Sequence, residues 1–296
     1  MIVVTGGSGF IGTHVCSALA DEGHKVRIID IAPPPFGVKA EFVRASVLDP
    51  IRLTKLFAGA DAVIHLAALI DVQSSIADPF SDFQINAEGT VTVLEAARRA
   101  GVKKVSYASS AAVYGNPTSI PVDESTPANP LSPYGLSKLT GERLVLLYNS
   151  LYGMENNALR LFNVYGKGQS PHSPYSGVIT KFANAISSEK RPVIFGDGSQ
   201  TRDFVHADDV ANAFCLTLKT RGCNSPINIA SGKETTILEL LEKMCAISGK
   251  AADPEFKEAR TGDILRSCAD ITLARRELGY KPTVSMDNGL KELLSE

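Results

Sequence analysis

The sequence predicts an α/β fold, a doubly wound parallel sheet followed by a smaller C-terminal α/β lobe, and three observations predict it. Short, wholly apolar runs alternate with helix-length segments, a glycine cluster follows the first run at once, and the alternation loosens beyond about residue 165. Strands buried on both faces read as continuous apolar runs, because helices cover the sheet above and below. Ile2–Val4, Val26–Asp30, Ala62–Leu66 and Val102–Ala108 read as such strands. Residues 83–100 and 134–152 carry apolar side chains at helical spacing, for example Leu139, Leu144, Val145, Leu147 and Tyr148. Prolines at 117, 121, 127, 130 and 133 make the stretch between Ser110 and Tyr134 a loop. A Ser/Pro/Gly-rich stretch at 168–177 and a further loop at 250–263 belong to the smaller lobe. The expected division is residues 1–165 and 166–296, with the chain free to cross between lobes.

Composition narrows the function classes. The formal charge is -2 with basic and acidic residues interspersed, so no broad positive face is expected for nucleic acid. No apolar run approaches the ~20 residues of a membrane span. Five cysteines without a CxxC pair suggest free thiols and a cytoplasmic location, and MIVVTGG has no leader character. The five histidines show neither HxxxH nor HExxH spacing, so no metal site is expected. His65 and His206 read as packed, hydrogen-bonded residues.

Thr5-Gly6-Gly7-Ser8-Gly9-Phe10-Ile11-Gly12 joins the first strand to the first helix. Glycines there permit a tight turn and a close approach of pyrophosphate to the backbone, and the helix start offers free N–H groups to the anion. Gly6, Gly9, Phe10, Ile11 and Gly12 are therefore candidate dinucleotide contacts on a Rossmann fold. Asp30 ends the second strand, 18 residues after Gly12, placed to accept bonds from ribose hydroxyls. Its charge repels a 2′-phosphate and no Lys or Arg follows in 31–38, so NAD is expected rather than NADP.

Tyr134 and Lys138 stand four apart, hence on one helix face. Lys138 is expected to lower the phenol's pKa, with a bound NAD⁺ ring adding positive potential, so that Tyr134 can serve as general base. Ser109-Ser110 lies directly after an apolar strand upstream.

With these residues in place the chain resembles the extended short-chain dehydrogenase/reductases, most closely the UDP-glucose 4-epimerase-like nucleotide-sugar epimerases. The likeness runs over essentially the whole chain: TGGSGFIG, HLAA at 65–68, NAEGT at 86–90, SSAAVYG at 109–115, YGLSK at 134–138, RLFNVYG at 160–166, TRDFVH at 201–206 and RTGD at 260–263. It implies catalytic roles for Ser110, Tyr134 and Lys138, with Lys138 also holding the nicotinamide ribose. Asn86 and the Leu66-Ala67-Ala68 backbone would line the cofactor. Arg202 and Arg260 match diphosphate-binding arginines, suited by their forked donors. Asn163 would meet diphosphate or sugar, Val178, Val193 and Phe195 would form the base pocket, and Asp263 would meet the nucleotide ribose. A homodimer through the helices at 83–100 and 134–152 is also implied.

Two positions depart from the family pattern. Ser46 replaces the usual adenine-contacting Asp, leaving a weaker hydroxyl contact and the Val47 backbone, and Ile70 replaces a lysine found in some sugar epimerases. Dehydratases and decarboxylases of the family carry acidic residues beside the catalytic Ser or Thr, whereas this chain has Ala111 and Ala112. The expected reaction is therefore oxidation at the sugar C4, rotation of the keto sugar and return of the hydride, that is, 4-epimerisation of a UDP-hexose. A 4-ketoreductase or sugar dehydrogenase, or a dinucleotide-sensing protein without catalysis, stay open as alternatives. Ser267 matches the position beside the sugar's 2-substituent, where a small residue leaves room for an N-acetyl group.

Overall fold

The computed structural model describes residues 1–169, 177–259 and 264–295. The first half of the chain lays down β1 (Ile2–Thr5), α1 (Phe10–Asp21), β2 (Val26–Asp30), β3 (Glu41–Arg44), α2 (Pro50–Phe57) and β4 (Ala62–His65). There follow α3 (Val72–Ala77), α4 (Pro79–Phe83), a π-turn (Gln84–Glu88), α5 (Gly89–Arg99), β5 (Val105–Ser110), a 3₁₀ turn (Ala111–Tyr114), α6 (Pro133–Tyr152) and β6 (Asn157–Leu161). Beyond these come β7 (Asn163–Tyr165), α7 (Val178–Ser187), β8 (Val193–Phe195), β9 (Thr201–Arg202), β10 (Phe204–His206) and α8 (Ala207–Lys219). The chain then runs through β11 (Ile227–Ile229), β12 (Thr235–Thr236), α9 (Ile237–Ile247), β13 (Glu255–Lys257), α10 (Thr272–Leu278) and α11 (Met286–Leu294).

Seven parallel strands form the central sheet in the order β11-β6-β5-β4-β1-β2-β3. The order reverses between β1 and β4, and such a switch point opens a crevice beyond the strands' carboxyl ends. Apolar continuity in the strands now has its cause. Val4, Ile28, Ile64 and Leu159 face one way, onto Val15 and Leu19 of α1 and Phe214 of α8. Val3, Ile29, Val63 and Ala158 face the other, onto Leu53 and Phe57 of α2, Val93 and Leu94 of α5 and Val145 of α6. The central strands β1, β4 and β5 thus meet helix layers on both faces, which accounts for their apolar runs.

Local signals set the helix ends. In α6 the Ser132 hydroxyl accepts the Gly135 N–H at 3.1 Å, Pro133 occupies the first turn, and Gly153 closes the helix at φ 63°. The second lobe has its own core, in which Ile179, Phe182, Phe204, Leu240, Leu241, Met244 and Leu290 pack together. Chain order and lobes part company beyond residue 165, because α8 packs on α1 and β11 pairs with β6 in the first lobe's sheet. No helix of the described residues is long and apolar enough to cross a membrane.

Candidate active site

A cavity of about 880 Å³ opens at the switch point, between the carboxyl ends of the sheet and the second lobe. Its floor is the turn after β1. There Gly6 has φ 72°, and a Cβ on it would stand 2.5 Å from Ala67 N, while one on Gly12 would stand 2.2 Å from Gly6 O. Neither position admits a side chain, so the backbone of the turn and of Leu66–Ala68 lies open to whatever fills the cradle. Gly9, Phe10 and Ile11 complete this wall. Asp30 lines the cavity with its carboxylate fixed by backbone donors, Ser8 N–H at 3.1 Å and Ala32 N–H at 3.2 Å. Ser46 and Val47 line it beyond, the Ser46 hydroxyl accepting from Leu48 N–H at 3.2 Å, and Ile70 stands exposed at the rim.

Ser110, Tyr134 and Lys138 meet at the centre of the cavity. Ser110 comes at the end of β5, where its hydroxyl accepts the Ala112 N–H at 3.2 Å and caps the 3₁₀ turn. Lys138 is buried and donates to Ala108 O at 2.9 Å, its ammonium 5.1 Å from the centre of the Tyr107 ring. Burial pushes its pKa down to about 8, against an upward pull from Asp82. Burial lifts the Tyr134 phenol above its ordinary range, a hydrogen bond with Ser110 opposes this, and the Asp82 charge adds to it. The expectation that Lys138 lowers the phenol is therefore corrected for the protein alone. The ammonium is turned to a carbonyl, and the nearby carboxylate works against phenolate formation.

Beneath this trio the polar groups are all engaged. Thr5 O–H donates to His65 Nδ1 at 2.7 Å, His65 Nε2–H reaches Thr90 Oγ1 at 3.1 Å, and Thr90 O–H donates to Asn86 O at 2.5 Å. His65 is held neutral, its pKa brought to about 3 by burial and by the charge of Lys138. His65 is thus the packed histidine the sequence suggests. His206 is likewise buried, taking the Asp208 N–H on Nδ1 at 3.3 Å and standing edge-on to Tyr165.

Asn86 is corrected in position. It lies behind the wall, with Leu69 N–H donating to its Oδ1 at 2.8 Å and its Nδ2 donating to Leu69 O at 2.9 Å. Its role is to fix the loop whose residues line the cavity. Val193 and Phe195 stand on β8, which pairs with β13, and neither is among the described residues that line this cavity. Asn163, Val178, Arg202 and Ser267 do line it. Arg202 Nη1 donates to Thr201 O at 2.8 Å and Ile264 O at 2.6 Å, which sets the guanidinium in the wall. Arg260 and Asp263 lie outside the described residues.

Several site-building residues escape the sequence reading. Glu142, one turn past Lys138, forms a fully buried pair with Arg160 at 2.7 and 2.9 Å and accepts from Ser109 Oγ at 2.8 Å, bracing the strand end that carries Ser110. Asp203 accepts from Ser231 N, Ser231 Oγ, Gly232 N and Ala269 N at 2.6–3.1 Å, tying together the segments around Arg202 and Ser267. Asp82, buried behind Tyr134, has no motif of its own, and Ser137 lies in YGLSK without a role given to it there. The available signals were Glu142 four residues after Lys138 and Asp82 four before Asn86.

Residues 2–230 match the profile of the family described as the NAD dependent epimerase/dehydratase family. A putative UDP-glucose 4-epimerase of Methanocaldococcus jannaschii is 42% identical, the match covering 100% of this chain and 97% of the relative. Among solved structures, a UDP-glucose 4-epimerase from Thermotoga maritima with UDP-glucose superposes with a TM-score of 0.94 at 34% identity, covering 99% of this chain and 97% of the other. A UDP-N-acetylglucosamine 4-epimerase from Methanobrevibacter ruminantium, in complex with UDP-N-acetylmuramic acid, gives 0.93 at 36%, covering 99% and 96%.

Proposed function

Because the chain belongs to the NAD dependent epimerase/dehydratase family, we propose that it interconverts the C4 epimers of a UDP-hexose, UDP-glucose and UDP-galactose foremost. NAD is its cofactor, and the residues fit it: a glycine turn lining the cavity, packed so tightly against the Ala67 backbone and against itself that Gly6 and Gly12 admit no Cβ, and the Asp30 carboxylate at the end of β2. When bound, NAD supplies the reversible two-electron oxidation at the sugar's C4. Tyr134 takes the C4 hydroxyl proton and later returns it, with Ser110 as its hydrogen-bond partner. Lys138 brings the positive charge that a phenolate needs.

The observation that carries this reading is Ala111-Ala112, which lines the cavity directly after Ser110. Neither Ala111 nor Ala112 offers a carboxylate beside Ser110 to eliminate water or assist loss of CO₂, which favours reduction of the 4-keto sugar back to the alcohol. Incubation with UDP-glucose, UDP-galactose, their N-acetyl counterparts and UDP-glucuronate, with products resolved and NADH absorbance followed, tests the assignment. Interconversion without net NADH change is the expected result. Stoichiometric NADH change would establish a ketoreductase or dehydrogenase instead.

Ser267 lines the cavity, and a small residue there supports acceptance of N-acetylhexosamines as well. For assembly the reading is a homodimer through α5 and α6, supported by Leu136, Leu147 and Leu151, which project from α6 into solvent. Sedimentation at micromolar concentration should show a dimer, and a monomer would refute it. All five cysteines are free and four are buried, which supports a reducing, cytoplasmic setting.

A further inference from the structure

A buried carboxylate stands behind the catalytic residues, and the reaction just described makes no use of it. Asp82, on α4, is 1% exposed. Ser137 Oγ donates to its Oδ2 at 2.6 Å and Asn86 Nδ2 donates to its Oδ1 at 2.9 Å. Ser137 lies between Tyr134 and Lys138 on α6, and its hydroxyl is also 3.0 Å from Tyr134 O, so one oxygen of Asp82 grips the catalytic turn. The other oxygen grips Asn86, whose amide holds both backbone groups of Leu69 in the cavity wall. Both donors are neutral. A charge kept in such a place is costly unless hydrogen bonds and a nearby opposite charge compensate it. The groups that feel its charge are Lys138 and Tyr134 from α6 and Tyr107 from β5. His65, from β4, faces the same ammonium in its neutral form.

We propose that Asp82 is a positioning residue of this site, a carboxylate that joins the catalytic turn to the cofactor-facing loop and keeps the buried Lys138 ammonium charged. Its catalytic meaning rests on the epimerase reading. Lys138 loses solvation on burial, and without a compensating negative charge it gives up its proton near neutral pH. The Tyr134 phenolate would then lose its cation. The same charge disfavours the phenolate while no cofactor is bound, which restrains the base until positive charge arrives with NAD.

The experiment is a pH titration of full-length protein carrying ¹³Cε-lysine, followed by NMR, with the Lys138 signal assigned through Lys138→Arg. The wild-type midpoint is expected at about 8. Asp82→Asn removes the charge and preserves the shape, and should lower the midpoint by about one unit, the low end for loss of a nearby opposite charge. Ser137→Ala removes a donor that favours ionised Asp82, and should move Lys138 the same way by less. In the working enzyme the alkaline loss of turnover should shift to lower pH alongside. A Lys138 midpoint that stays put in Asp82→Asn, or that rises, overturns the proposal. Should that variant not fold, an unmoved midpoint in Ser137→Ala does so. The titration uses no sugar and no turnover, so failure of the wild type to interconvert UDP-hexoses would defeat the epimerase reading without touching this one.

Discussion

Lys138 and Ser267 line one cavity and are held in contrasting ways. Lys138 is buried, bonded to Ala108 O, and backed by the Asp82, Ser137 and Asn86 network and by His65. Ser267 is half-buried in the opposite wall, and its backbone N–H reaches Thr201 Oγ1 at 3.4 Å. Nearby Asn163 is exposed to the cavity and Gln169 bonds Thr180 at 2.9 Å. The first wall works in low dielectric with Lys138, Asp82, Ser137, Asn86 and His65 hydrogen-bonded, where one replacement orphans its partners. The second wall is tied by the buried Asp203, and the half-buried Ser267 can be replaced without removing any of those bonds. On the epimerase proposal, the chemistry belongs to the first wall and the fit to the sugar to the second.

Substitutions can break or sharpen that contrast. The largest effect belongs to Tyr134→Phe, which should lower turnover by at least ~100-fold, the scale of a lost general base, while thermal unfolding stays close to wild type. Near-normal turnover would remove Tyr134 from the chemistry. On the opposite wall, Ser267→Tyr should reduce turnover of the UDP-N-acetylhexosamines by about tenfold to a hundredfold, through a steric cost of ~1 to 3 kcal/mol, and leave UDP-glucose and UDP-galactose nearly unaffected. Equal slowing of both pairs, or of neither, would deny Ser267 a view of the sugar. For the cofactor, Asp30→Ala should weaken NAD by about tenfold, in line with one lost charge-assisted bond of ~1.5 kcal/mol, and relax discrimination against NADP. Calorimetric titration with both dinucleotides checks this, and unchanged affinity for each would refute it.

A further effect concerns pH. His65 binds its proton near pH 6.5 when unfolded but only near 3 in the folded protein. Between these values the unfolded chain holds the extra proton, so stability falls as pH is lowered, by about 1.4 kcal/mol per unit from this group. Urea unfolding at pH 6.5, 5.5 and 4.5 should show a shallower acid loss in His65→Gln than in wild type. Parallel slopes would place the titrating group elsewhere.

Elements whose own sequence dictates their conformation were legible in advance: the glycine turn, Asp30 at a strand end, the Tyr134–Lys138 spacing and the long helix capped by Ser132 and Gly153. Residues that act only through partners far along the chain were not. Asp82 and Ser137 are 55 positions apart, and Asp203 and Ala269 are 66. Ser137 and Asp203 sit inside the YGLSK and TRDFVH motifs, but nothing local names the partner of either. Asn86 shows the reverse case, a residue picked out correctly by its motif whose amide serves the backbone behind the wall.

The return of β11 to the central sheet bears on which pieces of this protein can exist alone. β11 pairs with β6, whose five residues are all buried, and Asn228 of β11 also holds Val122 O and Tyr114 Oη. A fragment ending after β7 would expose β6 as an open apolar edge, a template for pairing with other chains, and would leave those polar groups without partners. Such a fragment should aggregate where the full chain stays dispersed. The second lobe's core is drawn from both sides of β11, from residues 179–204 before it and 237–293 after it, and any trimming or fusion has to keep residues 227–229 with residues 157–161.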